Sequence, residues 1–102
     1  GRIGNAIDSI VSLGSVLSGT HLERSVIGPW ALAGGGSTIT DSVLFDYVRV
    51  GSGARIHRAI LDKGVELPGR DGGVDRERDL ERGFTVTDSG LTVVGKNVRV
   101  DV

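Results

Sequence analysis

The sequence predicts an all-β fold: a left-handed parallel β-helix of hexapeptide repeats, with a short capping helix and a β-hairpin tail. Three observations carry this expectation. Aliphatic residues recur at Val11, Val16, Leu22, Ile27, Ala33, Ile39, Leu44, Val50, Ile56, Leu61 and Leu67, and from Leu22 onward the steps are 5, 6, 6, 5, 6, 6, 5 and 6. Four places after each member from Leu22 to Leu61 stands a small or aliphatic residue: Val26, Ala31, Ser37, Val43, Val48, Ala54, Ile60 and Val65. The 17 glycines, with 38% hydrophobic but only 4% aromatic residues, describe a core of small aliphatic side chains crossed by many tight turns.

An amphipathic helix would space its apolar residues by three and four, and a meander would alternate with period two before each hairpin turn; neither matches steps of five and six. A three-sided prism does. Each side is a short strand, three steps close a coil of 17 residues, and equivalent residues stack about 4.8 Å apart. So short a coil implies a left-handed crossover, an exception to the usual handedness of parallel strands.

Element by element, the prism runs from Val11 to Leu67 within residues 1–72, and residues 73–102 form a tail of the same domain. SVIG (25–28), SVLF (42–45) and AILD (59–62) repeat every 17 residues, and Gly28, Gly34 and Gly51 follow inward positions where the strand needs room to turn. Gly72-Gly73 ends the regular part. Asp75 caps a predicted short charged helix in VDRERDLERG that stops at Gly83 and covers the last open coil edge. FTVT and LTVV, split by Asp88-Ser89-Gly90, read as a hairpin, and Lys96–Val102 as a final extended segment.

A net charge of -1 and a pI near 6.1 give no broad basic field, which argues against nucleic acid and membrane partners. There is no cysteine, hence no disulfide framework and no thiolate metal site. No apolar run approaches the roughly 18 residues of a membrane span, so the chain reads as soluble. Gly1 opens it without an initiator Met and leads straight into repeat-like sequence, the expectation for a piece of a longer protein.

The outward residues offer candidates but no complete catalytic set. His57 has the type and place of the general base that hexapeptide acyltransferases carry on a coil surface; its plainer reading is a solvated residue beside Ile56. Arg49, Arg55, Arg58 and Lys63, with Lys96 and Arg99 in the tail, converge on a phosphate if the tail folds back along the prism; otherwise they keep a face soluble. Arg24, Asp41 and Arg58 share one column and read as a surface ion ladder. Trp30 and Tyr47, 17 apart, share another, either as a contact surface or as mutually stacked rings. GGGS (34–37) is a coil corner rather than a phosphate loop, since no helix follows. No nucleophile, base and oxyanion site assemble, and no metal-ligand set is present.

The order of DSIVSLGSVLSG (8–19), RSVIG (24–28), DSVLFDYVRVGSGARIHRAILDKGVELP (41–68), GVDRERDLERGF (73–84) and SGLTVVGK (89–96) resembles the C-terminal domain of bacterial glucose-1-phosphate adenylyltransferases, or ADP-glucose pyrophosphorylases, over nearly the whole chain. That resemblance implies a cytoplasmic parent enzyme joining ATP and glucose 1-phosphate into ADP-glucose and pyrophosphate with Mg²⁺ in glycogen synthesis. Its active site lies in a preceding catalytic domain, so this chain would itself be non-catalytic and need no cofactor. It further implies a regulatory and assembly role: packing on that domain, helping form a homotetramer, and giving cations to a site for sugar-phosphate or nucleotide effectors. Lys63, in AILDK, and Lys96, after TVVG, match two basic positions of the family, with Lys at both where Arg is common. The candidate effector-binding set is therefore Lys63, Lys96, Arg58, His57 and Arg99. The alternatives are a sugar acyltransferase fragment using His57, or the β-helix of another sugar-nucleotide pyrophosphorylase.

Overall fold

A computed structural model describes residues 3–69 and 84–99. Among them every regular element is a strand, and the strands form three sheets, one for each side of a prism. The first face stacks β1 (Ile3–Ile7), β4 (Thr20–Glu23), β7 (Thr38–Thr40) and β10 (Arg55–His57). The second stacks β2 (Ile10–Val11), β5 (Val26–Ile27), β8 (Val43–Leu44), β11 (Ala59–Leu61) and β14 (Thr92–Val94), with β13 (Thr85–Val86) on its outer edge. The third stacks β3 (Val16–Leu17), β6 (Leu32–Ala33), β9 (Arg49–Val50) and β12 (Glu66–Leu67). All pairings between coils are parallel, and Leu22 lies beside Ile39 and Ile39 beside Ile56, 17 residues apart each time.

The strands can be so short because three columns of left-handed residues turn the chain. Asp8, Arg24, Asp41 and Arg58, with φ between 47° and 53°, make the corner between the first and second faces. Gly14, Trp30, Tyr47, Gly64 and Asn97 make the second–third corner, and Gly19, Gly36 and Gly53 the third–first corner. Side chains seldom accept positive φ, but from the second coil on each corner N–H is held by a carbonyl of the coil before it, as Asp41 N by Glu23 O at 2.9 Å and Tyr47 N by Pro29 O at 3.1 Å.

Two inward positions per strand fill the core: Leu22, Ile39 and Ile56 stack on the first face, Ile27, Leu44, Leu61 and Val94 on the second, Ala33, Val50 and Leu67 on the third. The structure corrects the predicted inward set in two places. Leu17, not Val16, is buried, because the first coil spends six residues after Val11 and five before Leu22. On the second face Ser25, Ser42 and Ala59 point inward while Val26, Val43 and Ile60 point out. The five-residue step at the first–second corner leaves no spare residue, so the second inward position comes three places after the first rather than four. At the glycines after inward positions the backbones meet: a Cβ on Gly28 would lie 2.8 Å from the Phe45 carbonyl carbon, and one on Gly51 would strike the Gly69 backbone.

β13 and β14 pair antiparallel as the expected hairpin. The tail then does more than extend. β14 lies parallel to β11 in the inward–outward register of the prism, and Arg99 bridges to Glu66 on the third face, so residues 92–99 lay down two sides of a fifth coil. The predicted capping helix at 74–83 falls outside the described residues.

Candidate functional site

Stacking converts sequence spacing into columns, and the columns sort the candidate residues. On the second–third corner, the position before the left-handed residue is Leu13, Pro29, Asp46, Lys63 and Lys96 from coil to coil. Lys63 and Lys96 are thus neighbours on successive coils, joined by the Asn97 N–H donating to the Lys63 carbonyl at 2.8 Å. Both are exposed, and neither belongs to an ion pair among the described residues. Asp62 Oδ1 accepts the Lys63 N–H at 2.7 Å and fixes that turn. Beside this corner, Arg49, Glu66 and Arg99 form an outward column of the third face, where Arg99 Nε lies 3.2 Å from Glu66. Arg99 therefore reaches the neighbourhood already paired.

His57 and Arg58 stand elsewhere, on the first face and on the first–second corner. His57 Nδ1 lies 2.6 Å from Thr40 Oγ1 and 3.8 Å from Asp41 Oδ2, partners one coil below that sequence reasoning did not connect to it. Its ring is mostly exposed. Asp41 is held mainly by Arg24, through contacts of 2.6 and 3.0 Å, and Arg24 also meets Glu23 at 2.9 Å. The Arg24 hydrogen bond keeps the Asp41 carboxyl below its usual range, and the same contacts, Asp41 first, raise the guanidinium pKa. Of the ion ladder read from sequence, Arg24–Asp41 forms a close pair, while Arg58 makes no ion pair with Asp41 among the described residues. Five candidate cations thus divide into a free lysine pair, a paired Arg99, and His57 with Arg58 on other parts of the prism.

A second feature shares the lysine corner but occupies the earlier coils. Leu13 is 82% exposed, Trp30 51% and Tyr47 60%, so the corner that carries Lys63 and Lys96 higher up is apolar lower down. Ile10 and Val26 on the adjoining second face, and Leu32 on the third, are also exposed. The Trp30 indole lies over Gly14, whose missing Cβ gives the ring its place. This convex apolar edge has the aromatic character of a contact surface. Among the described residues no cluster of three His, Cys, Asp or Glu side chains could hold a metal ion, and no helix is long and apolar enough to cross a membrane.

A prism of stacked hexapeptide coils is shared by several kinds of protein, and a family model for the GlmU-like C-terminal hexapeptide matches residues 1–94. The chain belongs to that family. Within the curated proteins it is similar to the glucose-1-phosphate adenylyltransferase of Leifsonia xyli subsp. xyli, 57% identical over 101 residues, covering 98% of this chain and 24% of that protein. The enzymes of that name from Arthrobacter sp. (strain FB24) and Bifidobacterium longum (strain DJO10A) are 48% and 50% identical over 96% and 98% of this chain, and 21% and 24% of their own lengths. The chain spans about a quarter of the length of the relatives it matches, in their C-terminal region.

The fifth coil, which places Lys96, is what the sequence reading missed. Its signal was there: TVVGKNVR (92–99) repeats the pattern of AILDKGVE (59–66) after 33 residues, with small or aliphatic residues at both inward positions and Lys at the corner.

Proposed function

We propose that this chain is the regulatory and assembly end of a glucose-1-phosphate adenylyltransferase, and that Lys63 and Lys96 bind the phosphate of an anionic effector. The observation that carries the site is the stacking of two exposed, unpaired lysines on adjacent coils. An ammonium offers up to three donors to phosphate oxygens, and two of them about 4.8 Å apart along the stack suit one phosphoryl group or two joined ones. The relatives support the parent activity, formation of ADP-glucose and pyrophosphate from ATP and glucose 1-phosphate. Mg²⁺ and the catalytic residues would belong to the preceding portion, in a cytoplasmic homotetramer. The convex edge around Leu13, Trp30 and Tyr47 supports the assembly role, since an exposed aromatic and aliphatic edge suits contact with another part of the parent protein.

The test is Lys63→Gln in the full-length enzyme, assayed with a sugar phosphate or nucleotide that activates the wild type. Loss of one charge-assisted contact, about 1.5–3 kcal/mol, raises the half-activating concentration roughly ten- to a hundredfold. An unchanged half-activating concentration refutes the site.

A further inference from the structure

The fifth coil is attached to the prism unlike the other four. Coils one to four follow along one continuous run, residues 3–69, whereas the fifth is laid down only after residues 70–91 have intervened. Lifting it therefore breaks no strand pairing within the first four. What holds it is specific: Asp62 N donates to Val94 O at 3.0 Å, Asn97 N to Lys63 O at 2.8 Å, and Glu66 N to Val98 O at 3.0 Å. Val94 is buried, and the Asn97 side chain lies on Gly64, where a Cβ would collide with its amide oxygen. What opposes it is equally specific. Docking sets Lys96 on the coil directly above Lys63 at the same corner, and like charges on neighbouring paired positions are destabilising. Asp46 lies one coil below Lys63 and relieves part of that repulsion, but the neighbours of Lys96 in its own coil, Gly95 and Asn97, are uncharged.

We infer that an anion shared by Lys63 and Lys96 latches the fifth coil. This rests on reading the two lysines as the effector site, and adds how occupancy is felt. Without the anion the lysines weaken the coil's docking; with it, the repulsion becomes a bridge, and the docked state gains population. An anion that requires both lysines binds only the docked coil, so its free energy of binding appears as docking stability. The moving element is then the end of the prism, and its edge on β11 and β12 is what the effector covers or exposes.

Amide hydrogen exchange on the full chain tests this, with inorganic pyrophosphate as the probe at constant ionic strength and its affinity measured separately by calorimetry. At ten times the measured Kd, exchange at Asp62, Glu66 and Asn97 slows about tenfold, while Phe45 and Arg49, which donate to Leu61 and Val65 within the first four coils, keep their rates. Lys96→Gln without pyrophosphate slows the same three amides about two- to fivefold relative to wild type, because the repulsion is gone, and abolishes the response to pyrophosphate. Pyrophosphate that binds through Lys63 yet leaves the three amides unchanged overturns the latch while leaving the effector site standing. Absence of any lysine-dependent binding overturns both. A Lys96→Gln chain whose amides exchange faster also overturns the latch.

Discussion

Ser42 gives the sharpest test of how the prism is held together. On the second, third and fourth coils, the N–H that follows the first–second corner meets a serine hydroxyl of the coil below rather than a carbonyl. Ser9 Oγ accepts Ser25 N at 3.2 Å, Ser25 Oγ accepts Ser42 N at 3.2 Å, and Ser42 Oγ accepts Ala59 N at 3.1 Å. Each hydroxyl then donates back to a carbonyl two residues earlier, as Ser42 to Thr40 O at 2.8 Å. Ser42→Ala leaves the Thr40 carbonyl its other donor, Arg58 N at 3.0 Å, but strips the buried Ala59 N–H of its acceptor. An orphaned buried donor costs about 1–3 kcal/mol, equivalent to a fall in Tm of about 4–20 °C for a chain of this size. Ser9→Ala is the comparison: Ser9 is half-buried and its bond to Ser25 N is only part-buried, where the Ser42–Ala59 bond is fully buried, so the expected cost stays below about 1 kcal/mol. Thermal unfolding followed by far-ultraviolet circular dichroism reads both, and the Ala59 amide should exchange faster in Ser42→Ala. If the two variants melt within a degree of each other, the hydroxyl ladder is not what supports the corner.

Two further outcomes follow from the other corners. Gly14→Ala puts a Cβ into the ring of the only tryptophan and sets alanine at φ 81°, so the expected result is a shifted Trp30 emission maximum with a loss of about 1–2 kcal/mol; an unaltered spectrum removes the packing of that edge. Because the Arg24 hydrogen bond depresses the folded pKa of Asp41, that pair's contribution is present above the ordinary carboxyl pKa and lost as pH falls through the lowered one. Arg24→Gln should move the Asp41 titration, followed by carboxyl nuclear magnetic resonance, upward, and an unmoved titration would mean that the contact does not persist in solution; the stability effect is small because the pair is open to solvent.

What could be read without coordinates followed from periodicity. Steps of five and six admit no helix and no meander, so the prism, its stacked columns and the glycines at close approach were all legible. The errors came where a column loses a residue: the period says that a step of five exists but not which side of the corner gives up the residue, and so Val26 was placed inside where Ser25 belongs. A serine at an inward position looks like a mistake until the corner geometry shows an N–H that needs it. The site was legible in a different way. Lys63 and Lys96 are 33 residues apart, which is no multiple of the 17-residue coil, so the period alone does not bring them together, and their convergence was conditional on the tail folding back along the prism. They become neighbours only because residues 70–91 are inserted between two coils that are otherwise successive. Two exposed, unpaired like charges on successive coils are what a ligand of opposite charge relieves, and this, rather than the count of surface cations, singles out the lysine corner from the arginines of the other faces.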